Sequence, residues 1–111
     1  MENWINITSE EEVNAIVKAS ELKPQIIFKD SITCGISAYA KERLEIGNDL
    51  LIDLADFNYL DLLKYRSVSN YIASELNVIH QSPQIIVIKD GNVVFKDSHH
   101  TIQPEKIVKY L

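Results

Sequence analysis

The first third of the chain shows an apolar stripe at helical spacing. It consists of Val13, Ile16, Val17 and, less regularly, Leu22. Ser9 and Glu12 stand just before it with the spacing of a capping box, which predicts that a helix begins there. Pro24 is expected to end this helix. A short strand is predicted before it, at about residues 4–7.

Two further elements follow along the chain. The segment from Gln25 to Asp30 is short, apolar and β-branched, which predicts a buried strand. After Gly35, apolar positions recur on one side of a second predicted helix, namely Ile36, Tyr39, Ala40 and Leu44. Gly47 interrupts that pattern. Residues 50–63 fit a helix or a strand, and we place a strand at about Phe57 to Leu63.

The last third predicts a helix, a hairpin and a final helix. Ser67 is expected to cap a third helix, and Asn77 suits the left-handed position that closes it. The inner face of that helix is Val68, Ile72 and Leu76. Asp90-Gly91 separates two β-rich runs and predicts a tight hairpin. Pro104 fits the first turn of a last helix, which carries Ile107, Val108 and Leu111.

The resulting order is βαβαβαββα, which indicates an α/β fold with a mixed central sheet and helices on both faces. This is the order of the thioredoxin-like fold. With 111 residues, 46% of them hydrophobic, and only three glycines and three prolines, the chain is expected to form one domain over residues 1–111.

Composition narrows the possible functions. A formal net charge of -5 disfavours nucleic acid as a partner, because phosphate binding needs clustered lysine and arginine. The N-terminus lacks the basic and apolar regions of an export signal, and the apolar runs are too short to cross a bilayer. We therefore expect a cytoplasmic protein without a membrane partner. Its one cysteine cannot form an internal disulfide.

Cys34 is the candidate nucleophile. It lies between the predicted strand that ends at Asp30 and the predicted helix from Gly35. The unpaired N–H groups and dipole of a helix N-terminus favour the thiolate, which is the reactive form. The alternative is an inert, buried thiol. Lys29 and Lys41 could add positive potential, although solvated lysines are the more ordinary interpretation.

Ser82-Pro83-Gln84 marks the entrance to the first hairpin strand. Thioredoxin-like proteins have a cis-proline at this point, facing the cysteine, where backbone groups remain free to pair with a bound disulfide partner. We therefore predict a cis bond before Pro83. The alternative is a trans proline at a strand start, which is also permitted.

The three histidines, His80, His99 and His100, are expected in loops. Adjacent residues of an extended segment point in opposite directions, so His99 and His100 do not form a metal-binding pair. We expect no metal. His80 stands two residues before Ser82 and can lie near the thiol, or it can be an exposed loop residue.

Several strings together resemble the monothiol bacilliredoxins, the YtxJ-like proteins of the bacillithiol system. They are Thr33-Cys34-Gly35-Ile36-Ser37-Ala38, Arg66-Ser67-Val68-Ser69-Asn70-Tyr71-Ile72-Ala73, His80-Gln81-Ser82-Pro83-Gln84 and Ser98-His99 before Ile102. The resemblance spans nearly the whole chain. It implies a thioredoxin fold and a lone cysteine that removes bacillithiol from oxidised cysteines of client proteins.

The resemblance also implies roles for particular positions. Cys34 would be the nucleophile, and Ser82-Pro83 would form the loop that binds the partner. The other partner-binding candidates are Thr33, Gly35, Ile36 and His80 from the same two strings, and Arg66 from the string at residues 66–73. No cofactor is implied besides bacillithiol, a low-molecular-weight thiol that exchanges with Cys34.

Gly35 departs from the family, which usually has proline after the cysteine. Cys34-Gly35-Ile36-Ser37 is one residue away from the Cys-Gly-Phe-Ser site of monothiol glutaredoxins, which hold an iron-sulfur cluster with glutathione. Those proteins carry a Gly-Gly pair after the proline strand, whereas Asn92 to Lys96 contains no glycine. A third hypothesis is a non-enzymatic binding module on the same fold.

Overall fold

A computed structural model of the chain describes residues 4–31, 33 and 35–111. The strands in this part of the chain are Trp4–Asn6 (β1), Gln25–Asp30 (β2), Asp56–Asp61 (β3), Gln84–Lys89 (β4) and Asn92–Ser98 (β5). The α-helices are Glu10–Ala19 (α1), Gly35–Ile46 (α2), Arg66–Glu75 (α3) and Pro104–Ile107 (α4). Short 3-10 turns occupy Asn48–Leu50, His99–Thr101 and Val108–Tyr110. The order of strands and α-helices is the predicted one.

The strands form one mixed sheet in the order β1-β3-β2-β4-β5. β1 and β2 both pair with β3 in parallel, whereas β4 pairs with β2, and β5 with β4, in antiparallel fashion. Gln84 of β4 lies opposite Lys29 of β2. The start of β4 is therefore at the same end of the sheet as the end of β2, after which the chain continues to Cys34.

Side chains alternate between two apolar cores, one on each face of the sheet. One core contains residues of α1, α3 and the inner strands: Val13, Ile16, Ile27, Val68, Ile72, Ile86 and Ile88. The other contains residues of α2, α4 and the opposite face of the same strands: Phe28, Ala40, Leu44, Phe57, Ile85, Val87 and Ile107. This layered arrangement is the predicted α/β fold with helices on both faces.

Several predicted element ends are confirmed. The Ser9 hydroxyl accepts a hydrogen bond from the backbone N–H of Glu12, which is the N-cap contact. Asn77 has a φ of 53°, in the left-handed region, just after α3. Asp90 and Gly91 have φ of 53° and 79°, which matches a tight hairpin turn that needs two left-handed residues. Pro104 is in the first turn of α4.

The first helix is shorter than predicted. α1 ends at Ala19, and Leu22 is 95% exposed, so Leu22 does not extend the apolar stripe. The reason lies in Ser20, whose carbonyl accepts the backbone N–H of Asp90 and whose hydroxyl accepts that of Gly91. These contacts fix the chain after Ala19 against the hairpin turn.

Two other details also differ from the prediction. Arg66 is already helical, and Tyr65 is the residue that precedes the helix, so Ser67 lies in the first turn of α3 and does not cap it. Tyr39 is 49% exposed and packs beside His100 instead of in the core. No helix in the described part of the chain is long and apolar enough to cross a membrane.

Candidate active site

The predicted nucleophile, Cys34, lies outside the described residues. Its neighbours in the chain are described. Thr33 is exposed, and Gly35 is the first residue of α2 and is also exposed. The backbone N–H of Ser31 donates to the hydroxyl of Ser37 across 3.3 Å, which joins the chain before this segment to the first turn of α2. The N-terminus of α2 begins at Gly35, and the N–H groups and dipole of a helix N-terminus favour an anion.

The predicted partner loop lies at the start of β4. The Ser82–Pro83 peptide bond is cis, which confirms that prediction. Pro83 is buried and Ser82 is half-buried. The carbonyl of Pro83 accepts a hydrogen bond from the backbone N–H of His99 at 3.1 Å, so the loop after β5 packs beside it. The expectation that Pro83 faces Cys34 falls outside the described residues, because Cys34 is not among them.

Lys29 is fully buried, which corrects the expectation of a solvated lysine. Its Nζ donates to the backbone carbonyl of Ser69 in α3 at 3.2 Å and lies 3.3 Å from Nδ1 of His80. In the described part of the chain, no carboxylate is within ion-pair distance of this Nζ. Burial lowers the pKa of Lys29 to about 8 because the ammonium is deprived of water.

His80 connects Lys29 with the segment before Pro83. Its Nδ1 also lies 3.5 Å from the hydroxyl of Ser69. Partial burial, followed by the positive charges of Lys29 and Arg66, lowers the pKa of His80. Neutral His80 is thus favoured beside the ammonium, with Nδ1 available as an acceptor.

A second polar cluster lies on the opposite face of the sheet, beneath α2. The Tyr59 hydroxyl donates to one carboxylate oxygen of Asp30, while the other oxygen of Asp30 is buried without a hydrogen-bond partner. Burial of the phenol, reinforced by this hydrogen bond to Asp30, raises the pKa of Tyr59. The Nζ of Lys41 lies 4.8 Å from the centre of the Tyr59 ring, so Lys41 makes a cation–π contact.

The turn after β5 borders α2 on its outer side. The guanidinium of Arg43 donates to the carbonyl of His100 at 3.2 Å, and the ring of Tyr39 packs at 6.2 Å from that of His100. His99 has a φ of 56°, a left-handed conformation. Together with the hydrogen bond from His99 to Pro83, these contacts place the two histidines between α2 and the Pro83 loop.

The other predicted binding residues have different surroundings. Arg66 is exposed at the start of α3 and close enough to His80 to influence its pKa. Ile36 is half-buried in the first turn of α2. Lys29 and Asp30 are buried polar groups that the sequence pattern did not single out. Their local signal is that two charged residues end a strand predicted to be buried. In the described residues, no group of three or more metal-ligating side chains could hold a metal ion.

Comparison with known proteins decides the family. Residues 5–107 match the family profile described as Monothiol bacilliredoxin BrxC. The chain belongs to the monothiol bacilliredoxin family. The match covers nearly the whole chain, in agreement with the resemblance seen in four separated strings.

Solved structures support the same fold. One protein, provisionally described as an oxidoreductase with a thioredoxin fold, is 28% identical with a TM-score of 0.85, covering 98% of this chain and 94% of that one. Thioredoxin from Trypanosoma brucei brucei is 16% identical with a TM-score of 0.71, covering 96% and 85% of the two chains. Spinach chloroplast thioredoxin f is 20% identical with a TM-score of 0.71, covering 96% and 82%. This bacilliredoxin therefore has the thioredoxin fold, and its family is one of thiol redox proteins.

Proposed function

We propose that the protein is a thiol-disulfide oxidoreductase that removes bacillithiol from mixed disulfides on client proteins. One observation carries the proposal. The chain's only cysteine directly precedes α2, and the Ser82–Pro83 loop lies at the same end of the sheet. A helix N-terminus stabilises a thiolate, and a loop at the same end of the sheet can bind a client, so the two features together support disulfide exchange.

The proposed reaction is a transfer of the small thiol. The Cys34 thiolate attacks the bacillithiol sulfur of the client's mixed disulfide. A new S–S bond forms between Cys34 and bacillithiol, the bond between bacillithiol and the client breaks, and the client cysteine leaves as a thiolate. This step conserves the number of disulfide bonds, so it needs no external oxidant or reductant.

A second thiol must then clear Cys34, because the chain contains no other cysteine. In the proposed cycle, a free low-molecular-weight thiol attacks the bacillithiol sulfur, and Cys34 leaves as a thiolate. The product is a disulfide between the two small thiols. The reducing electrons therefore come from the thiol pool and not from the protein.

Bacillithiol is anionic, and cationic side chains lie around the Pro83 loop, where they would attract it. Arg66 is exposed at the start of α3, and Arg43 lies beside the turn that contains His99 and His100. These groups give positive potential on both sides of the Pro83 loop, although the net charge of the chain is -5.

Incubation with oxidised small thiols tests the specificity. Intact mass spectrometry should show one adduct on the protein, formed faster or more completely from oxidised bacillithiol than from oxidised glutathione. The Cys34→Ser variant should form none. Equal reaction with both disulfides would retain the exchange function but contradict the bacillithiol assignment. If the thiol does not react at neutral pH, the proposal of an enzyme is contradicted and the hypothesis of a binding module is favoured.

A further inference from the structure

Lys29 links three separate elements at the end of the sheet that contains the candidate site. It belongs to β2, its Nζ donates to Ser69 of α3, and the same atom contacts His80 in the segment before Pro83. The side chain is 0% exposed. An ammonium in this position loses its hydration and, in the described residues, gains no carboxylate in exchange. Burying such a group lowers the free energy of unfolding, so we look for a role of Lys29 other than stabilisation.

The loop contacted by Lys29 is the one that ends in cis-Pro83. His80 stands two residues before Ser82, and the Gln84 side-chain amide donates to the carbonyl of Ile79 at 3.0 Å. The segment 79–83 is therefore attached to the body of the protein at two points by side chains. The contact at Gln84 is between neutral groups, whereas the contact at Lys29 depends on a charge.

We propose that Lys29 is a positioning residue that, through His80, holds segment 79–83 in the conformation that receives the peptide backbone of a client. The inference rests on the proposed function and assigns the reaction and the binding of the client peptide to different parts of the protein. The Cys34 segment supplies the reacting sulfur, while Lys29 acts on the loop that binds the peptide around the client's cysteine. Small disulfides without a peptide backbone do not use this contact.

The proposal has a dependence on pH. The titratable group in contact with Lys29 is His80 from the loop. Arg66 from α3 acts on His80 by its positive charge, while Asp30 lies on the opposite face with Tyr59. Neutral His80 accepts a charge-assisted hydrogen bond from the protonated amine, and this bond is stronger than one between neutral groups. Since the pKa of Lys29 is lowered to about 8, the stronger bond is lost as the pH rises above that value.

The test compares two disulfides in their reaction with the thiol. One probe is a synthetic pentapeptide whose central cysteine carries bacillithiol, and the other is bis(hydroxyethyl) disulfide, which has no peptide backbone. Lys29→Met should lower the rate constant for the peptide disulfide by about tenfold, which corresponds to the loss of one hydrogen bond to a charged group. The rate with bis(hydroxyethyl) disulfide should change by less than about twofold. Lys18→Met, on the exposed side of α1, is the matched control and should change neither rate.

A second variant and a pH series make the test independent of folding defects. His80→Ala should reproduce the loss for the peptide disulfide, and the double variant should lose no more than either single one. In the unmodified protein, the ratio of the two rate constants should fall between about pH 7 and pH 9.5, whereas in Lys29→Met it should be constant. The ratio cancels the ionisation of the thiol, which affects both reactions equally.

Three results would overturn the inference. The first is an equal loss of rate with both disulfides, which would mean that Lys29 acts on the thiol. The second is no loss of rate with either disulfide. The third is a double variant whose loss is the sum of the two single losses. A glutathione-carrying version of the pentapeptide separates this inference from the proposed function. If it reacts as fast as the bacillithiol version, the bacillithiol assignment fails, while the comparison of Lys29→Met with the unmodified protein still decides the role of Lys29.

Discussion

Lys29 combines a charged side chain with complete burial, and this combination determines how stability should change with pH. The pKa of Lys29 is lowered from 10.5 to about 8, so the folded protein binds this proton more weakly than the unfolded chain does. Between those two pH values the unfolded state holds more protons, and the free energy of unfolding should rise with pH. Below about pH 8 the full penalty of the buried charge applies.

Lys29→Met should therefore stabilise the protein at pH 7. We expect the free energy of unfolding to increase by about 1–3 kcal/mol, because an apolar side chain of similar length replaces a buried cation that has no carboxylate partner among the described residues. The gain should shrink at pH 9.5, where the amine of the unmodified protein is mostly neutral. Urea denaturation at both pH values measures this change in the free energy of unfolding, and Lys18→Met is the exposed control. A loss of stability at pH 7, or a gain independent of pH, would contradict the assigned environment.

At the scale of elements, the two ends of α2 differ in the space available for a side chain, as Gly47 and Gly35 show. A Cβ at position 47 would lie 2.4 Å from Cγ of Pro104, whereas a Cβ at position 35 would meet no atom within 4 Å. The end of α2 is thus pressed against α4, while its start is open. The open space at position 35 would also accept a proline, since a first helical turn tolerates one.

This contrast predicts different outcomes for two substitutions of the same kind. Gly47→Ala should lower the free energy of unfolding by about 1–3 kcal/mol, because Pro104 and α4 must move to make room. Gly35→Ala should leave it unchanged or raise it by up to about 1 kcal/mol, because alanine favours the helix. Thermal and urea unfolding of both variants test the pair. Equal destabilisation would show that the two ends of α2 do not differ as described.

The elements also show what the sequence could predict. The hairpin at Asp90-Gly91 and the N-cap at Ser9 depend on local backbone chemistry, and both were predicted correctly. The end of α1 was not, because it depends on contacts between Ser20 and a hairpin turn far along the chain. Boundaries set by such tertiary contacts carry no local signal.

The same distinction holds for the site. Cys34 and Pro83 could be singled out because their positions relative to predicted elements carry meaning. Lys29 could not be recognised as buried beside His80, since the contact requires β2, α3 and the loop before β4 to be in place together. Alternation along β2 did put Lys29 on the same face as Ile27, and this was the available signal.

At the scale of the whole molecule, the mixed sheet explains why distant segments meet at one end. Antiparallel pairing of β4 with β2 brings Gln84 opposite Lys29, so the Pro83 loop returns to the end of β2 that leads to Cys34. Parallel pairing of β2 with β3 places the start of α3, with Arg66, at that same end. The family match and the thioredoxin fold agree with a thiol redox protein built around this end of the sheet.

Transfer of bacillithiol from a client is the most direct test of the central claim. A reduced, alkylation-competent sample of the protein is mixed with a bacillithiolated client protein, and the intact masses of both partners are followed over time at neutral pH. We predict that the client returns to its reduced mass while the protein gains one bacillithiol adduct, and that Cys34→Ser abolishes both changes. A client that keeps its bacillithiol in the presence of the unmodified protein, or that loses it equally well with Cys34→Ser, would contradict the proposed function.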